Sequence, residues 1–291
     1  MAKGRELKGR IKSVENTRKI TRTMEMVATS KMKRAQDRVV AARPYALALA
    51  DVISSLYSPE LAERFPLLRQ PTEPRRVALI VLTSNRGLAG GFNANLIKAA
   101  RVQIAEIEKA GTKVEVHVIG KKGIGYFKYV GRELASQRID VTDRPTAENA
   151  SEIVDALMAE YIAGELDGVY VTYAKFVSAL STPPTTERIL PVTPPKAKEG
   201  EGGGQRDYLL YPSAEAILTE LLPSYVRNAV YRALVETVAG EQSARRTAMK
   251  NATDNAGDIL NVLRRTYNRA RQAQITQEIA EIVGGAAALQ G

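Results

Sequence analysis

The chain contains no cysteine, no tryptophan and a single histidine, His117. Without thiols it can form neither a disulfide nor a thiolate metal site. One imidazole leaves no His-ligated metal or His-based catalytic pair to assemble, and "KVEVHVIG" reads as a strand holding a hydrogen-bonded structural histidine. Aromatics make up 5% of the residues against 44% for all hydrophobic types, so the apolar content is carried by Ala, Leu, Ile and Val. That composition favours long helices over a thick aromatic core. Long hydrophobic runs are also missing. The opening "MAKGRELKGRIKSVENTRKI" lacks the apolar stretch of a secretory signal. The strongest run, "VALIVL" at 77–82, falls far short of the roughly 20 residues a bilayer span requires. The expectation is a chain with no direct membrane insertion.

What is present is basic charge, unevenly placed. The formal net charge is +10. Residues 1–43 hold 13 Lys and Arg against four Asp and Glu, a local +9, so the remaining residues contribute +1. Such a segment suits a polyanion or an acidic protein surface. A basic coiled coil that binds nucleic acid is the alternative reading. Against it, 1–43 has no aromatic residue for base stacking, and 241–291 is near neutral, with seven basic and five acidic residues.

The helical period organises both ends. From Leu7 to Tyr57 the steps of three and four run through Ile20, Met24, Val27 or Ala28, Met32, Ala35, Val39, Ala42, Ala46, Leu49, Ile53 and Leu56. Pro44 is expected to kink or break this helix. From Ser213 to Leu289 the period returns, with a stripe through Met249, Ala252, Ala256, Ile259, Leu263, Thr266, Ala270 and Ala273. Pro223 and Gly240 are expected to bend it at most. At 1.5 Å per residue the segments would span about 75 and about 115 Å. Helices that long must pack on each other, antiparallel because the middle of the chain returns. Between them, strand signals at 76–83, 113–119 and 168–174 alternate with helical patterns at 93–109, 122–130 and 147–163, and an edge strand is expected at 186–192. This is the order of a mainly parallel, Rossmann-like α/β domain. The predicted division is therefore a helix at 1–57, an α/β domain at 75–195 and a helix at 213–289, with a flexible excursion at 194–206.

The stretch "SNRGLAGGFNAN" invites a phosphate-binding interpretation. Its glycines, Gly87, Gly90 and Gly91, match neither GxGxxG nor GxxxxGK[ST]. We expect a structural turn with left-handed positions that glycine tolerates, and Asn93 capping the following helix. A nucleotide-binding enzyme built on the middle domain is the second alternative. No nucleophile, base and orienting group can be assembled, so no catalytic, cofactor or metal residue is assigned.

Three stretches, "IKSVENTRKITRTMEMVATSKMKRAQ" at 11–36, "SNRGLAGGFNANL" at 84–96 and "EQSARRTAMKNATDNAGDILNVLRRTYNRARQAQITQEIAEIVGGAAAL" at 241–289, closely resemble the gamma subunit of F-type ATP synthases, in order and over the full length. The resemblance implies a non-catalytic central stalk. Its paired terminal helices would turn inside a ring of alpha and beta subunits, one copy per complex. Its α/β domain would face the epsilon subunit and the c-ring at the cytoplasmic face of a bacterial cell membrane. It implies ring contacts at Met24, Arg271 and Gln272, with Arg245 and Arg246 nearby, and no cofactor on this chain. The redox-regulated cysteine insertion of chloroplast relatives has no counterpart here. The tail "EIVGGAAALQ", small and uncharged after Glu281, suits a low-friction apolar bearing.

Overall fold

The computed structural model describes residues 2–57, 64–193 and 213–289. The expected excursion at 194–206 lies outside the described residues. The chain divides into two compact units, one made of 1–28 with 245–291, the other of 29–244. The elements in order are α1 (Ala2–Leu56), β1 (Arg76–Leu82), α2 (Phe92–Lys109), β2 (Lys113–Ile119), α3 (Lys121–Tyr129), β3 (Ser136–Arg138), α4 (Ala147–Ala163), β4 (Gly168–Ala174), β5 (Pro184–Leu190) and α5 (Ala214–Leu289).

The 29–244 unit is built on a five-stranded sheet of order β3-β2-β1-β4-β5. Pairings β1–β2, β1–β4 and β2–β3 are parallel, and β4–β5 is antiparallel. β1, "RVALIVL", is buried at every position after Arg76 because both faces of the sheet are covered. Val77, Leu79 and Val81 pack with Ala100 and Ile104 of α2 and Phe127 of α3. Ala78, Ile80 and Leu82 face the other way. They join Val154, Leu157 and Tyr161 of α4, Leu222, Val226 and Val230 of α5, and Ile53 and Leu56 of α1. α4 is capped at both ends. Thr146 and Asn149 form a reciprocal capping box, and Gly164 closes the helix in the left-handed conformation at φ 78°.

The entrance to the sheet is held electrostatically. The Asp167 carboxylate accepts from the backbone N–H of Arg75 at 2.7 Å and of Arg76 at 3.1 Å. The Arg76 guanidinium donates to both oxygens of Glu115, at 2.8 and 2.9 Å, and to Glu160 at 3.0 Å. That fork holds the Glu115 carboxyl below the usual carboxylate range.

Two expectations are corrected, one of backbone and one of hydropathy. Pro44 neither ends nor splits α1, which is continuous from Ala2 to Leu56. Proline deprives the carbonyl four residues earlier of its partner. That residue is Val40, which is 62% exposed, so water can take the bond. α1 also contains an 18-residue window of mean hydropathy 1.4, long and apolar enough by length and composition to count as a candidate membrane span, contrary to the expectation drawn from "VALIVL". Of this window 22% is buried within the protein, Leu49, Ile53 and Leu56 among the buried residues. Pro223 likewise lies inside an unbroken α5, as does Gly240. A side chain at Gly240 would meet Ala174 Cβ at 3.0 Å and Phe92 at 3.3 Å, so glycine there permits close approach of the sheet to the helix.

Candidate partner-contact surfaces

In the unit formed by 1–28 and 245–291, α1 and α5 pair antiparallel. Thr21 meets Thr253, with 2.8 Å between hydroxyl oxygens, and the Arg264 guanidinium donates to Glu15 at 2.6 Å. A Cβ on Gly257 would lie 3.7 Å from Arg18 Nε. As the position rises on one helix it falls on the other. From Met249 onward, buried and half-buried positions of α5 include Met249, Thr253, Ala256, Leu260, Leu263, Tyr267, Ala270 and Gln274, in alternating steps of four and three, with Ala252 and Gly257 half-buried beside them. On α1, Leu7, Val14, Thr21 and Ala28 recur every seventh residue. That strict repeat is the signature of a left-handed coiled coil.

This seam corrects the expected stripes. Ile20 is 60% exposed and Thr21 takes its place. Val27 is exposed, and Ala28 is the buried alternative. On α5, Ile259 is 51% exposed and Leu260 is buried instead, while Thr266 and Ala273 give way to Tyr267 and Gln274. The stripe had followed apolar character, and the helices follow the seven-residue register.

The outward faces remain partly apolar. Ile20, Met26 and Val27 on α1, and Ile259 and Val262 on α5, are half or more exposed. Extending the pairing from Thr21–Thr253 and Arg18–Gly257 brings the start of α1 opposite about residue 273 at equal rise per residue on the two helices. Beyond it α5 continues alone to Leu289, and its Ile275, Ile279, Ile282 and Val283 are 47–72% exposed. Among the residues expected at a partner surface, Arg271 and Gln272 are exposed, Met24 and Arg246 are half-buried, and Arg245 is buried. They do not converge on one site. The side chains at the end of the tail lie outside the described residues.

In the 29–244 unit, the glycine-bearing turn leads from β1 into α2. Of the three expected turn glycines only Gly90 has a left-handed backbone, at φ 56°. Leu88 adopts φ 64° without being glycine. Gly91 is the α2 N-cap at φ −79°, and no side chain caps that helix. Asn93 is therefore not a cap. Its Oδ1 instead accepts from Ser84 N at 2.9 Å, closing the turn from inside. The glycine that the backbone requires most lies elsewhere, at Gly120, and no local pattern marks it.

A cavity of about 510 Å³ opens at the carboxyl ends of β1 and β2, with Arg86, Lys121 and Arg144 beside Asp143 and Glu241. Cavities in this position commonly receive phosphates at a helix N-terminus. Here the first N–H groups of α3 already have partners. Lys121 N donates to Asn85 Oδ1 at 3.1 Å, Lys122 N to Ser84 O at 3.1 Å and Gly123 N to Thr83 Oγ1 at 3.0 Å. The protein's own oxygens thus occupy the place of a phosphate. Beside this cavity, Lys31 pairs with the Asp143 carboxylate and Arg38 donates to the Asp143 carbonyl at 3.2 Å. These bonds fasten α1 to the loop after β3.

Comparison with known proteins gives one family. The family model described as ATP synthase matches residues 3–289. An ATP synthase gamma chain of Gemmatimonas aurantiaca is 70% identical over the full length of both chains. One from a Janthinobacterium species is 41% identical, covering 99% of this chain and all of that one. Among solved structures, a chain of the Euglena gracilis mitochondrial ATP synthase, in its OSCP/F1/c-ring assembly, superposes with a TM-score of 0.68. It covers 99% of this chain and 95% of that one at 20% identity, a likeness of fold.

Proposed function

The chain belongs to the family of ATP synthase gamma chains, and on that premise we propose that it is the rotor shaft of a bacterial F-type ATP synthase. In this reading one copy stands in the ring of alpha and beta subunits. Its sheet-containing unit meets the epsilon subunit and the c-ring at the cytoplasmic face of the cell membrane. The three functional segments are the helix at 1–57, the α/β domain at 75–195 and the helix at 213–289. The chain carries no catalysis; nucleotide chemistry belongs to the ring. The observation that carries the reading is a helix pair that satisfies its own seam and still presents apolar residues outward, a surface that calls for a surrounding partner.

Coupling follows from a thermodynamic requirement. A shaft shifts a catalytic site only through contacts that differ between the conformations of that site. A rod whose faces differ touches three equivalent partners unequally, and turning it exchanges their states in sequence. Proton flow supplies work for synthesis, and hydrolysis drives the reverse. The basic charge of residues 1–43 suits acidic loops on the ring, which accounts for the feature that suggested nucleic acid. No further support for the nucleic-acid alternative arises. The direct test is reconstitution with alpha and beta subunits and a filament attached to this chain. Unidirectional rotation on ATP addition is expected, and a bound but static filament would refute the reading.

Met24, Arg245, Arg246, Arg271 and Gln272 are proposed ring contacts. A forked guanidinium suits carboxylates and carbonyls of partner loops. Met24→Lys would add an ion pair that favours one angle of the shaft. Surface pairs are worth up to about 1 kcal/mol, so a several-fold loss of proton-driven synthesis is expected. Hydrolysis should fall less, and equal losses in both assays would remove Met24 from the coupling surface.

A further inference from the structure

The coiled-coil seam has a weak point. Between Val14 and Ala28, the α1 positions that continue its repeat are Arg18, Thr21 and Glu25, all polar. The facing part of α5 sets Ala252, Ala256 and Gly257 between the buried Met249 and Leu260, so large side-chain relief is confined to the two ends of this stretch. Small residues allow close approach without choosing a register. Within this stretch Thr21 and Thr253 are each 8% exposed, and their hydroxyls meet at 2.8 Å. Thr21 donates to the Arg18 carbonyl at 3.1 Å, leaving its oxygen as an acceptor. Thr253 has one proton and two acceptors in reach, Thr21 Oγ1 and, within its own helix, the Met249 carbonyl at 2.8 Å. A slip of one turn would separate the two hydroxyls, bringing Thr21 opposite Gly257 and Thr253 opposite Glu25.

We propose that Thr21 and Thr253 are positioning residues for energy coupling: their buried hydroxyl pair fixes the axial register of the two helices. A shaft passes on an angle only if its helices stay in phase, so a slipping seam would absorb displacement that should reach the ring. This role rests on the rotor reading above. It is carried by hydroxyl chemistry rather than by volume, because valine matches threonine in shape and cannot make the bond.

The chain has no cysteine, so introduced thiols report on a clean background. In the assembled complex, Arg18→Cys with Gly257→Cys reports the observed register, and Arg18→Cys with Asn261→Cys reports a one-turn slip. Thr21→Val with Thr253→Val should raise the slipped cross-link roughly two- to tenfold, the weight of one net hydrogen bond. The same pair, without added cysteines, should lower proton-driven synthesis more than hydrolysis. Thr21→Ser with Thr253→Ser keeps the hydroxyls and should restore both readouts. Unchanged cross-linking in the valine pair, slip without loss of coupling, or a serine pair that behaves like the valine pair would each overturn the proposal. If the unmodified complex fails to couple at all, the rotor reading falls, and the cross-links still decide the register.

Discussion

Gly120→Ala should destabilise the sheet-containing unit by about 3–5 kcal/mol, the sum of a forbidden backbone conformation and a steric overlap. Gly120 has φ 104° and ψ 136°, a region open in practice to glycine alone. A Cβ built there would stand 2.2 Å from the Thr83 carbonyl oxygen and 2.6 Å from its carbon. Neither partner can yield. Gly120 N donates to the Arg138 carbonyl at 2.8 Å, while Thr83 N donates to the Ile119 carbonyl at 2.8 Å. The glycine is thus pinned between β1, β2 and β3 at the start of α3. Against a typical total stability of about 5–15 kcal/mol, such a loss leaves the unit marginal. Gly125→Ala is the control, since a Cβ at Gly125 meets nothing within 4 Å. It should be neutral or stabilising by up to about 1 kcal/mol. Denaturant unfolding of the two variants decides the matter, and a Gly120→Ala midpoint near that of the parent would contradict the steric account.

The second large effect concerns rotation. Ile279 and Val283 are 56% and 62% exposed on the unaccompanied end of α5, so charging them should leave the fold almost unchanged. Inside the ring the same positions would be enclosed. Taking a carboxylate out of water costs several kcal/mol, so Ile279→Glu with Val283→Glu should slow rotation by about tenfold or more. Bead-loaded rotation of the reconstituted complex provides the measurement. An unchanged speed at low load would show that this end of the helix does not bear on the ring.

Much of this architecture is legible from periodicity. The four longer strands and the three short helices appear in sequence as alternating apolar patterns, and their observed limits lie within a few residues of the expected ones. β3, "SQR", escapes because three polar residues carry no pattern; its place is set by pairing with His117–Ile119. The coiled-coil seam is half legible. Choosing Ile20 over Thr21 and Ile259 over Leu260 follows hydrophobicity, whereas a strict count of seven from Leu7 passes through Val14, Thr21 and Ala28. The turn glycines show the same limit. Leu88 adopts a left-handed backbone that sequence reasoning reserves for glycine, and the obligatory Gly120 answers to Thr83, 37 positions earlier. Long-range contacts of that kind leave no trace in a local window. The proposed contacts at Met24, Arg271 and Gln272 come from family likeness, since no spacing rule distinguishes them from any other polar helix surface.

The seven-residue repeat has a mechanical corollary. Two strands wrapped with a left-handed sense respond unequally to opposite torques: one direction tightens the winding and presses the seam together, while the other opens it. An axle of this construction is stiffer when driven one way than when driven the other. Reversing the rotation also exchanges the driven and the loaded end, so synthesis and hydrolysis twist the axle in the same sense and meet the same stiffness.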